Sequence, residues 1–179
     1  MLTSLDALLA QGRQARRDNR LADARAHYAQ AAEVCREAKN AALLAQALTG
    51  LGQIERDLNN HDSALKLYSE ASALYRKLDS PLALAHTIRH VADILRNQKK
   101  LKEAEPCYSE ALAIYRSHIE TPPLDLANAI RGYALLKDSM GDADEAMHLW
   151  SEAKNLYEEA GVQAGVAESE SHIAFHMGR

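Results

Sequence analysis

Two histidine pairs lie four residues apart, His86 with His90 and His172 with His176. On a helix that spacing puts both imidazoles on one face, where they can supply two metal ligands. The first pair sits in HTIRH, which lacks the glutamate a zinc-protease helix carries beside its first histidine. No third ligand accompanies either pair, so the expectation is surface or groove histidines and no bound metal. A histidine column in a binding groove would make binding sensitive to pH between about 6 and 7. Cys35 and Cys107 are the two cysteines, too few for a disulfide framework. A glycine-rich phosphate loop, a G-x-S-x-G elbow and a paired CxxC are all missing from the sequence. The chain therefore reads as a non-catalytic protein, not an enzyme, without a cofactor.

What must position these side chains is a repeat. HYAQAAEVC holds Tyr28, LYSEASALY holds Tyr68, CYSEALAIY holds Tyr108 and LWSEAKNLY holds Trp150, at successive spacings of 40, 40 and 42 residues. Ala24, Ala64, Ala104 and Ala146 stand four residues before the aromatic, and Ala31, Ala71, Ala111 and Ala153 three after it. Small residues on one helical face let a neighbouring helix approach, and the aromatic fills the space left between. Leu8, Leu48, Ile88 and Ile130 recur upstream, followed by Gly12, Gly52, Ala92 and Ala134. The apolar positions follow helical rather than alternating spacing. Cys35 falls in a column otherwise filled by Tyr75, Tyr115 and Tyr157, and Cys107 shares one with His27, Leu67 and Leu149. Both cysteines are expected to be interior packing residues.

Each repeat thus reads as two antiparallel helices. First helices are expected over Leu5–Asp18, Ala42–Leu58, Pro81–Asn97 and Leu124–Ser139, and second helices over Ala22–Ala38, Ser63–Leu78, Lys102–Ile119 and Ala143–Ala160. Gly141 suits a helix C-terminus, Asp142 an N-cap, and Glu145 its capping-box partner. Ser80-Pro81 and Thr121-Pro122-Pro123 suit helix starts. Pro106, inside a second helix, predicts a mild bend at most. A ninth helix over Val162–Met177 is expected to cover the end of the stack.

The segments LTGLGQIERDLNNHDSALKLYSEASALY and IRGYALLKDSMGDADEAMHLWSEAKNLY resemble tetratricopeptide repeats. The long period is similar to that of kinesin-light-chain-like and bacterial regulatory members. Two columns depart from the family pattern. Its first-helix tyrosine is replaced by Ala15, Glu55, Leu95 and Lys137, and its closing proline by Arg36, Arg76, Arg116 and Glu158. The resemblance implies an all-α, right-handed superhelical solenoid of antiparallel helix pairs. Four units over residues 5–40, 41–80, 81–122 and 123–161 and a capping helix over 162–177 would form one domain spanning 1–179.

First helices of such a solenoid line its concave face. The register puts seven arginines and five acidic residues there. That small basic surplus stands out in a chain of net charge −4. Arg13, Gln53, Arg56, Arg89, Asp93, Arg96, Asn128 and Arg131 are the expected groove residues. Guanidinium forks suit carboxylates, so the expected guest is a peptide or helical segment carrying acidic residues. Arg89 and Asp93 form an attractive i,i+4 pair, Arg13 and Arg17 a repulsive one. A fixed set of lysines and asparagine, with which some family members hold a terminal carboxylate, is replaced here by Leu9, Arg13, Gly50, His86 and His90.

The five acidic groove residues fall in four columns and form no acid–base pair. The acidic balance argues against nucleic-acid binding. No apolar run reaches the ~20 residues that span a bilayer, and the start lacks the order of a secretory signal. A cytoplasmic adaptor or scaffold that holds another protein is the leading expectation. The alternatives are a sensor whose curvature answers to a peptide or small ligand, and a self-associating scaffold. Leu2, Leu5 and Leu9 at one end, with Phe175 and Met177 at the other, would supply the apolar end patches for a homodimer.

Overall fold

The computed structural model describes residues 4–178, and among them every regular element is α-helical. The helices are α1 (Leu5–Arg17), α2 (Leu21–Glu37), α3 (Ala41–Asp57), α4 (His61–Lys77), α5 (Pro81–Asn97), α6 (Leu101–Ser117), α7 (Pro123–Met140), α8 (Ala143–Glu159) and α9 (Gln163–Met177). They match the expected spans to within about two residues. No helix is long and apolar enough to cross a membrane, among the described residues. The chain forms two compact units, residues 1–87 and 88–179, with the division inside α5.

Turns of two or three residues join most helices and fold each back on its predecessor. Their geometry repeats. Asn19, Lys39, Asn59, Asp79 and Lys99 adopt positive φ angles of 49–63°. After α1, the Asn19 amide donates to the Arg16 carbonyl and the Arg20 amide to the Ala15 carbonyl, which is Schellman closure. Gly141 closes α7 in the left-handed conformation, as its sequence position predicts. Asp142 precedes α8, but its side chain makes no capping bond. The Lys137 ammonium draws that carboxylate away at 3.4 Å, so the expected capping box does not form. The Ser4 hydroxyl and the Asn40 amide oxygen do cap, accepting from the amides of Ala7 and Leu43. Pro106 lies within the unbroken α6.

In the first unit, α1 packs on α2 and α3, and α3 packs on α2 and α4. The Tyr28 ring is wedged between two first helices. A Cβ at Gly12 of α1 would come within 2.9 Å of it, and one at Gly50 of α3 within 2.5 Å. Tyr68 lies against Gly52 in the same manner, at 2.7 Å. Leu8, Leu48 and Ile54 complete the core, and the two alanine columns are fully buried.

In the second unit, α7 packs on α6 and α8, and α8 on α9. Tyr108 presses on Gly132, where a Cβ would meet it at 2.6 Å, and Tyr157 on Gly165, at 2.5 Å. Trp150, Ile130 and Leu136 are fully buried. The columns that depart from the family pattern hold the buried apolar Ala15 and Leu95, and their charged members are paired. Glu55 is buried and accepts from Asn60 at 2.8 Å and Arg25 at 2.6 Å. Lys137 bonds Glu105 at 2.7 Å and lies over the Tyr133 ring. Arg36 reaches Glu70, and Arg116 reaches Glu152, tying successive second helices. Cys35 is buried as expected. Cys107 is only half-buried, because its side of α6 is left partly uncovered, and its thiol donates to the Glu103 carbonyl.

Candidate functional site

The expected groove residues divide between the two units. In the first, α1 and α3 present their polar faces side by side, because their apolar faces grip Tyr28. Between them is a pocket of about 460 Å³ lined by Arg13, Arg16, Arg17, Tyr28, Gln53 and Asp57, with Asn19 and Leu21 at its edge. Asp57 accepts from Arg16 at 2.9 Å and from Arg56 at 2.9 Å. Arg17 donates to the neutral amide of Gln14. Arg13 has no acidic partner among the described residues. Burial pushes the Tyr28 hydroxyl pKa up, opposed by the positive charge of Arg13, Arg16 and Arg17. Those three arginines line the same pocket as the Tyr28 side chain. Gln53 also meets His86, Nε2 to Nε2, at 3.3 Å.

The second unit treats its arginines differently. Arg89 donates to Asp93 at 3.0 Å, and both side chains are largely buried. Asp93 also accepts from the Tyr108 hydroxyl at 2.6 Å and lies 3.7 Å from His90 Nδ1. Burial alone would raise its pKa. His90, Arg89 and Tyr108 together outweigh burial and hold the carboxyl down at about 2. The Tyr108 hydroxyl is pushed up, first by burial and then by the charge of Asp93, with Arg96 opposing. Arg131 forks onto both oxygens of Glu168, at 2.5 and 2.6 Å. Asn128 accepts from the Tyr157 hydroxyl at 2.9 Å. Asp93 is thus an internal anchor, and Arg89 and Arg131 are already neutralised by neighbouring carboxylates. Arg89–Asp93 is the i,i+4 pair expected within α5, whereas Arg131–Glu168 joins α7 to α9, which is why column membership alone conceals it.

The structure also assembles a cluster that sequence reading missed. Asp138, near the end of α7, accepts from the Trp150 indole at 2.9 Å. Its two oxygens also meet His172 Nδ1 at 2.9 Å and His176 Nε2 at 2.6 Å. Trp150 stacks on His172, centroids 4.1 Å apart. Both α9 histidines are therefore tied to a structural carboxylate rather than free in a groove. The only sequence signal was the i,i+4 spacing. His90 is likewise buried. At the chain's ends Leu9 is buried in the core and cannot join an exposed patch, since α3 covers it. Phe175 and Met177 are exposed, and Leu2 lies outside the described residues.

Sequence models described as "Tetratricopeptide repeat" match residues 3–77 and 84–121. No curated protein matches the chain. Among solved structures, the chain is similar to BtubC (BKLC) from P. vanneervenii, with a TM-score of 0.73 and 17% identity over 97% of this chain and 81% of that one. It is also similar to aspartyl phosphate phosphatase F from Bacillus subtilis, with a TM-score of 0.85 and 17% identity. That match covers 96% of this chain but only 45% of the phosphatase chain, so this chain spans under half its length. At such identities the likeness is one of fold.

Proposed function

We propose that this chain, which belongs to the tetratricopeptide-repeat family, is a protein-interaction module that holds an acidic peptide or helical segment against its first helices. The observation that carries this reading is the cationic surplus between α1 and α3. Arg13, Arg16 and Arg17 line the pocket there, with Asp57 the one carboxylate lining it among the described residues. Guanidiniums without carboxylate partners are available to a guest, and a bidentate fork gives both affinity and orientation. Arg89 and Arg131 are already committed to Asp93 and Glu168, so they support the frame of the second unit. Gln53 lines the same pocket, and Arg56 borders it through its bond to Asp57. An adaptor or scaffold role is what such holding would serve.

A peptide array of graded acidic content tests this. Acidic peptides should be retained, their retention should fall as salt rises, and Arg13→Glu combined with Arg17→Glu should abolish it. Equal retention of basic peptides, or acidic binding unaffected by the double substitution, would overturn the proposal.

A further inference from the structure

The α1–α3 pocket carries more donor capacity than a carboxylate uses. A carboxylate offers one negative charge and two oxygens, and one guanidinium fork engages both oxygens. Here the forks of Arg13 and Arg17 bond no carboxylate among the described residues, and Arg16 lies beside them in the same pocket. The Tyr28 hydroxyl lies within the field of all three, and the amides of Asn19 and Gln53 line the same walls. The one carboxylate facing the pocket, Asp57, is held between Arg16 and Arg56 at 2.9 Å each. Arg13 and Arg17 repel each other at i,i+4 on α1, and Asp18 offsets that charge only from the Arg17 end. A doubly charged group with three terminal oxygens fits this donor set better than a carboxylate does.

Building on the peptide-binding reading above, we propose that the α1–α3 pocket is the subsite for a phosphate monoester on the guest, a phosphorylated serine or threonine side chain. Arg13 and Arg17 clamp the phosphate oxygens, Arg16 adds charge from one side, and the Tyr28 hydroxyl donates from the pocket floor.

The test uses three immobilised peptide pools with degenerate flanks and a central phosphoserine, serine or glutamate. The 179-residue chain should be retained about tenfold more strongly by the phosphoserine pool than by the other two. Excess inorganic phosphate should release it. Arg13→Glu should erase the preference. That substitution places an acid four residues before Arg17, the attractive order on a helix, so α1 should stay folded, which circular dichroism checks. Equal retention on the phosphoserine and glutamate pools would overturn the phosphate subsite and leave the acidic-peptide reading standing. A phosphoserine preference that survives Arg13→Glu would also overturn the subsite. Retention by none of the pools would overturn both readings.

Discussion

Replacing Asp93 with asparagine should expose how the second unit uses buried charge. Asparagine keeps the shape and removes the negative charge that accepts from Tyr108 at 2.6 Å and Arg89 at 3.0 Å. The carboxyl ionises at about 2 in the folded chain, against an ordinary value of 3.8. A folded-state pKa below the unfolded one means that the stabilisation is complete above the unfolded value. It is lost as pH falls through the folded value. Nearly two pH units correspond to about 2 kcal/mol at pH 5 and above, of which about 1 kcal/mol remains at pH 3. Trp150 is the single tryptophan of the chain and lies in the same unit, so its fluorescence during urea unfolding reports this region. At neutral pH, Asp93→Asn should lower stability by at least about 2 kcal/mol, with a further cost from leaving Arg89 buried without its partner. The gap between wild type and variant should then narrow by about 1 kcal/mol from pH 5 to pH 3. A gap of the same size at both pH values would refute the reasoning, because the anchor would then owe nothing to its charge.

Gly50→Ala should lower the melting temperature. The new Cβ would stand 2.5 Å from the Tyr28 ring, and overpacking of about 1–3 kcal/mol exceeds the helix-propensity gain of up to about 1 kcal/mol. Lys99→Gly should raise the urea midpoint by an amount equivalent to about 1 kcal/mol, since Lys99 holds a φ of 63° that costs glycine nothing. A midpoint that falls would contradict the αL turn. Asp138→Ala removes the acceptor shared by Trp150, His172 and His176. Hydrogen exchange should accelerate in α9 and leave α1 to α3 unchanged; uniform exchange across α9 and those helices would show that the cluster does not anchor the last helix.

The amino-acid sequence by itself determined the helices and the buried side of each. Tyr28, Tyr68, Tyr108 and Trp150 recur with their flanking alanines, and all of these are buried. That outcome is legible because the packing of a small residue against an aromatic is repeated locally, and its register is written into every copy. Turn positions were legible less completely. Gly141 closes α7 as its residue type demands, whereas Asp142 yields its capping role to an ion pair with Lys137. Tertiary structure alone decided which charges remain available. Arg131 meets Glu168 and Arg16 meets Asp57, each about one repeat away in sequence, while Arg13 meets no acid among the described residues. The histidines of α9 likewise find Asp138 only when α7 and α9 come together. A column states which face a side chain shares. Whether its charge is cancelled depends on which carboxylates the neighbouring helices bring within the roughly 4 Å at which an ion pair forms.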